Sequence, residues 1–268
     1  MSTLELQSPV GQLVKERPAR SRLFEKLGID YCCGGKLSLA KACAQKNLDP
    51  QQVINQLLNE DQQAATNNTA DDYVDANAMS LTQLADHIQN THHAYLKNEL
   101  PRLGFLVRKV AAVHGHNFLW MLKVDGIYAA FAAELESHML KEEQILFPLI
   151  RTLDSLPPQA AIESSMSVAG PINVMESEHD DAGDALAKMS QLTNNFTPPP
   201  EACNTFIAML DGLSQLEKDM HQHIHKENNV LFPKALAAEA LGSVDIHLRL
   251  TMMAAIQTKP RKFSAFLS

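Results

Sequence analysis

The sequence has no run of about 18 apolar residues, so no membrane-spanning helix is expected. Its first stretch, Met1 to Gln12, lacks the basic-then-apolar pattern of an export signal, and a cytoplasmic location is the expectation. Basic residues are in deficit. The 23 Lys and Arg against 31 Asp and Glu leave a formal net charge of −8, which argues against nucleic acid as a partner. Four cysteines in 268 residues are too few for a disulfide framework, and in a reducing compartment they are expected as thiols. Aromatic residues are only 6% and β-branched residues are sparse, which leaves little material for sheets. What is plentiful is Ala, Leu, Met, Gln, Glu and Lys, a helical composition, so the expected fold class is all-α. An apolar share of 45% can bury a real core, and the length fits an ordinary domain plus a small one.

Residues 1–60 read as a small helical N-terminal unit. Pro18 suits the first turn of a helix running to Leu27 and stopped by Gly28, with Leu23, Phe24 and Leu27 on its apolar face. Cys32-Cys33-Gly34-Gly35 makes a tight turn. A helix follows from Ser38 to about Lys46, and another starts with Asp49 as N-cap and Pro50 in its first turn. Residues 61–79 are polar and lack an apolar period, so they read as a linker. Residues 80–242 read as an up-down-up-down four-helix bundle. Its first helix is capped by Ser80 and runs toward Val113, and Pro101 should kink or split it. A loop is expected over His114 to Lys123, and a second helix from about Gly126 to Leu153. Pro171 opens a third, to about Leu192, and a fourth runs from Glu201 to about Ala240 after the break at Pro198-Pro199-Pro200. Residues 243–268 form a C-terminal extension without an assigned role.

One pattern occurs twice in this bundle. His138 to Pro148 and His223 to Pro233 both read H-x-x-K-E-x-x-[I/V]-L-F-P. Four residues of helix return to nearly the same face, so each stretch presents an imidazole and a carboxylate stacked together. With 11 histidines in the chain, fewer than one such pair is expected by chance, and two sharing the same tail mean the helix was used twice. His93 lies 45 residues before His138, and His179 lies 44 before His223. Each half is therefore a helix hairpin with the same donors. Packing the halves together gathers His93, His138, Glu142, His179, His223 and Glu227 in the bundle core. That set suits two metal ions with two imidazoles on each and two carboxylates free to bridge. Buried carboxylates need a cation or other partner, which favours metal over a plain polar core. Donors without thiolate suit iron, zinc or manganese. Six protein ligands leave room for an oxo or hydroxo bridge and a small exogenous ligand.

Glu134 precedes His138 by four residues and Glu178 precedes His179. Each is a candidate outer partner or access-path residue, with a solvated helix charge as the alternative. His92, His221 and His225 are offset from the proposed ligands and should point elsewhere. Cys32 and Cys33 lie before a helix, where the helix N-terminus and Lys36 should favour thiolate, so they are candidate relay thiols; the alternative is a buried hydrophobe. Cys43 and Cys203 read as core.

The chain from residue 1 to about 240 resembles the repair of iron centres (RIC) family of di-iron proteins. The resemblance rests on Asp30 to Lys36, His138 to Pro148, Gly170-Pro171-Ile172 with Val174 to Asp180, Thr197 to Cys203, and Glu227 to Pro233. It implies a small N-terminal domain holding the double cysteine, then a hemerythrin-like bundle. It selects His93 over His92 and makes the six ligands hold two iron ions. It further implies repair of iron–sulfur clusters damaged by nitrosative or oxidative stress, through iron donation, NO reduction or NO handling. The implied partners are proteins with damaged clusters, NO or O2, and an electron donor; a homodimer is compatible with the family. A reversible O2- or NO-binding module, or an iron sensor, is the alternative. The extension beyond Gly242 falls outside the family pattern.

Overall fold

The computed structural model describes residues 4–66, 75–155 and 167–241. Part of the expected linker, most of the loop before Gly170 and the C-terminal extension with His247 lie outside the described residues. Among those described the chain is helical, with one isolated β-bridge between Pro9 and Ser38 and no strand.

The bundle opens at Ser80, whose hydroxyl accepts the Gln83 N–H while the Gln83 side chain accepts the Ser80 N–H, a reciprocal cap. The first bundle helix is α5 (Leu81–Ile88), a π turn (Gln89–His93) and α6 (Ala94–His114). Pro101 does not split it; α6 continues through it. Pro101 is exposed, where a carbonyl deprived of its N–H partner can bond water, and the irregular turn falls earlier, at the wide turn ending on His93. The second helix starts sooner than expected. α7 (Trp120–Lys141) takes in Gly126 because Met121 and Val124 bury fully against the core, which outweighs the roughly 1 kcal/mol cost of a mid-helix glycine. A π turn (Glu142–Leu146) and α8 (Phe147–Ser155) continue it. The third helix is α9 (Ala169–Leu192). The fourth is α10 (Asn204–Lys226), a π turn (Glu227–Leu231) and a helical run over 232–241.

α6 packs on α7 and α10, and α9 packs on α7 and α10, closing a ring of four. The interior is divided. One apolar cluster gathers Leu96, Leu135, Met139, Leu186 and Ile224, and a second gathers Ile88, Leu146, Phe147, Met175 and Val230. Every bundle helix passes from one cluster to the other at His93, Glu142, His179 or Glu227. A polar layer therefore crosses the middle of the core.

The N-terminal unit holds α1 (Val10–Glu16), a 3₁₀ turn (Pro18–Arg20), α2 (Ser21–Leu27), a 3₁₀ turn (Cys33–Lys36), α3 (Leu39–Gln45) and α4 (Pro50–Thr66). Gly28 ends α2 at φ +66°, the left-handed conformation that glycine adopts without strain. α4 continues past residue 60 into the segment read as linker. The reason is Asp61, which takes an ion pair at 2.7 Å from the buried Arg20 and a second from Arg17. Asn229 in the last π turn fastens this unit to the bundle. Its Nδ2 donates to the Cys32 carbonyl at 3.2 Å, and its side chain fills the space a Cβ would take on Gly11 and Gly35.

Candidate metal centre

Four helices deliver six donors to the polar layer, all of them buried. His93 Nε2 lies 3.2 Å from Glu142 Oε2, and His138 Nε2 lies 3.4 Å from the same oxygen. His223 Nε2 lies 3.1 Å from Glu227 Oε1, and His179 Nε2 lies 3.2 Å from Glu227 Oε2. The donors fall into two groups, His93 with His223 and His138 with His179, and each group includes both glutamates. The imidazoles thus pair across the repeat. The cause is helix adjacency: α6 lies beside α10 and α7 beside α9, so each group draws one histidine from each hairpin.

Three π turns sit at this layer, one ending on His93 and two starting at Glu142 and Glu227. Phe147 N–H bonds the Glu142 carbonyl and Phe232 N–H bonds the Glu227 carbonyl, each five residues back. The next residue is proline in both cases and has no N–H to return the ladder to ordinary spacing. The same two phenylalanines stack on the lone histidines, Phe147 on His93 and Phe232 on His179.

Proton positions follow from the outer partners. His93 Nδ1 is 2.9 Å from Glu143 Oε1, His138 Nδ1 is 2.9 Å from Glu178 Oε2, and His179 Nδ1 is 2.8 Å from Asn228 Oδ1. Carboxylate and amide oxygens only accept, so each Nδ1 carries a proton and the neutral ring aims an Nε2 lone pair inward. His138 Nε2 and His179 Nε2 face each other at 3.1 Å. Both oxygens of Glu142 and of Glu227, His93 Nε2 and both ring nitrogens of His223 are buried without a hydrogen-bond partner. Such a layer of unmet acceptors fits cations. Protons meet the same charge when no cation does. Burial pushes Glu142 and Glu227 up, but the histidines hold Glu142 below the usual range and Glu227 well below it. Burial pushes His138 down, yet Glu142, Glu227 and Glu178 raise it to about 9.

Residues 84–235 match the family described as the hemerythrin HHE cation binding domain. The chain belongs to this family. Residues 6–61 match a second family, ScdA_N, described as a domain of unknown function. The iron–sulfur cluster repair protein YtfE of Escherichia coli O157:H7 is 42% identical over 231 residues, covering 86% of this chain and 97% of the relative. The protein of that name in Citrobacter koseri gives the same identity and coverage, and the one in Shigella boydii is 41% identical over the same shares.

Within this hemerythrin domain the outer residues follow the repeat, with two breaks. Glu143 and Asn228 come directly after the two glutamates and hold His93 and His179. Neither was among the sequence candidates, although reading the repeat one residue further would have found them. Glu178, directly before His179, holds His138 and also pairs with Lys141. His92, directly before His93, has the matching position. It stacks on His223 at 5.3 Å and 3° instead of accepting from it, and pairs with Lys226 and Asp219. Glu134 is exposed and does not touch His138; it lines a cavity of about 400 Å³ with His138, Glu178, His179, Asp181 and Lys141.

The cysteine turn differs electrostatically from expectation. Asp30 accepts from Cys32 N–H at 2.9 Å and lies 3.1 Å from Cys32 Sγ. Its contact with Cys33, burial and Asp30 together raise the Cys32 thiol well above its ordinary value, so it is held protonated rather than as thiolate. Lys36 does not offset this, because it pairs with Glu176. Cys33 Sγ is 4.0 Å from Cys32 Sγ and donates to the His179 carbonyl at 3.5 Å. Cys43 is core, but Cys203 is exposed, standing before α10 with its sulfur 3.4 Å from His114 Nε2.

Proposed function

We propose that the chain holds two iron ions on His93, His138, Glu142, His179, His223 and Glu227 and takes part in the repair of iron–sulfur clusters damaged by nitrosative or oxidative stress. The observation that carries this reading is the buried layer itself: each glutamate faces an imidazole of both pairs, and no hydrogen bond satisfies it. The relatives' name supplies the repair role, and the cation-binding family supports the metal. Bound iron supplies a reversible change of oxidation state and a position for NO or O2. The residues do the rest. Glu142 and Glu227 bring the compensating negative charge to both ions. Glu143, Glu178 and Asn228 keep the Nδ1 protons in place and so keep the Nε2 lone pairs inward. Glu134, Glu178 and Asp181 make the cavity beside His138 and His179 negative, which suits passage of ferrous iron as cargo and favours iron donation. NO handling remains the second reading, supported by the same cavity reaching two ligands from outside.

Cys32 and Cys33 are proposed as relay thiols between a target protein and the layer, since Cys33 touches the backbone of His179. The test is metal content and repair together. Purified protein should carry about two irons per chain, and His138→Ala should lower that. It should also restore activity to an NO-damaged [4Fe–4S] enzyme. Unchanged metal content in His138→Ala overturns the ligand set. Full repair by a Cys32→Ser, Cys33→Ser double variant overturns the relay and leaves the cysteine turn a docking role.

A further inference from the structure

The doubled pattern fixes a lysine as well as a histidine and a glutamate, at Lys141 and Lys226. Each lies three residues after its histidine, on the same side of the helix. In both copies the ammonium reaches the residue directly before a lone histidine. Lys141 pairs with Glu178, before His179, and Lys226 donates to His92 Nε2 at 2.7 Å, before His93. That residue in turn bears on the histidine three places before the lysine. Glu178 accepts from His138 Nδ1 at 2.9 Å, and His92 stacks on His223 with ring centroids 5.3 Å apart and planes 3° from parallel. The same line of contacts thus occurs twice, from lysine to outer residue to layer histidine, once through a ring edge and once through a ring face.

The torsion that turns an imidazole about its Cβ–Cγ bond is broad, so rotamer preference alone does not set the ring plane. His223 has no hydrogen-bond partner at Nδ1 to set it. Packing has to do so, and the ring lying parallel to it is His92. His92 can serve because both of its own nitrogens are engaged. Lys226 only donates, so Nε2 accepts, and Nδ1 gives its proton to Asp219 at 2.8 Å. A ring pinned at both nitrogens presents a fixed face. Glu178 is pinned likewise, one oxygen on Lys141 and the other on His138.

We propose that the repeated lysine is a positioning residue, which locks the side chain that sets the ring plane of the histidine three residues before it. Its effect on metal rests on the two-iron reading of the layer; the ring linkage is a property of the chain itself.

The test compares Lys141→Met with Lys226→Met, which keep side-chain length and remove the donors. In the full chain loaded with zinc(II) as a diamagnetic probe, heteronuclear NMR of the imidazole nitrogens should show His138 shifted by Lys141→Met with His92 and His223 unmoved, and the reverse for Lys226→Met. The exposed Lys123→Met should move none of them. A general loss of stability would instead move all the rings alike. In competition with a chelator, each of the two motif variants should bind zinc about fivefold more weakly, below the roughly 10–100-fold typical of a residue that touches a ligand. His92→Phe, which keeps a ring on His223 without the hydrogen bonds, should hold His223 closer to its native signal than His92→Ala does. That pair decides the second copy should Lys226→Met not fold. Unmoved His223 signals in Lys226→Met, equal shifts in every histidine, or equal effects of His92→Phe and His92→Ala overturn the proposal. Failure of the unaltered chain to take up zinc counts against the two-iron reading instead, and the same NMR comparison is then read on the metal-free chain.

Discussion

The His93–His223 pair and the His138–His179 pair are built by one repeat, yet they face different surroundings. His138 and His179 line the acidic cavity. His93 and His223 are fully buried and do not line it. The outer residues differ at the same two places in the repeat. Glu178 holds His138 where His92 merely stacks on His223, and Asn228 holds His179 where Glu143 holds His93. In the proposed centre, identical inner residues would therefore serve one closed and one open position. The closed position suits retention, and the open one suits exchange or a small ligand.

The largest effect should come from removing what the two pairs share. Glu142→Ala or Glu227→Ala should cost both ions and drop metal content well below one per chain by elemental analysis. Retention of one full ion would mean the glutamates are not shared. Next is the contrast between positions. A chelator should strip metal in two phases about tenfold or more apart, and His138→Ala should abolish the fast one. A single phase would remove the distinction between closed and open. A smaller effect is expected from outer partners. Glu178→Gln should weaken metal binding by about 10–100-fold, whereas Asn228→Ala, which removes a neutral acceptor, should do less. His92→Glu would supply the missing acceptor for His223 and should slow metal loss from the closed pair.

The pH effect sharpens the same picture. His138 in the metal-free chain holds its proton up to about 9. Metal must displace that proton, so affinity should rise with pH and level off above about 9, with at least one proton released per chain on loading. Loading without proton release would show that His138 is not displaced.

The buried His/Glu layer is legible in the sequence because a helix of regular pitch turns i, i+4 spacing into a shared face, and because the pattern comes twice. The pairing of histidines was not legible, since it depends on which helices become neighbours. The π turns were also hidden, although in two of the three a proline follows closely and cannot donate an N–H to the helix ladder. Pro101 does not end α6 because a proline on an exposed helix face is tolerated where water can replace the lost bond. Cys32 misled for a different reason. Lys36 and the helix N-terminus favour thiolate, but Asp30, two residues away and in position for an Asx turn, opposes it. Cys203 sits outside the core expected for it because the Pro-rich break before it leaves it outside α10. The linker was read from polarity alone, and Asp61 made its start helical through an ion pair that no local pattern announces.

Among the described residues, the polar layer of His93, His138, Glu142, His179, His223 and Glu227 stands between two apolar clusters. Folding cooperativity in this bundle is therefore carried by charge as well as by packing. With cations in place, the layer acts as a rivet and the two clusters should melt as one unit. When the cations leave, the cluster around Ile88, Phe147, Met175 and Val230 loses its tie to the other. That end of the bundle carries Asn229, which anchors the cysteine turn. Emptying the proposed centre should thus slacken the grip on Cys32 and Cys33, so that the thiols would sense whether the layer is filled.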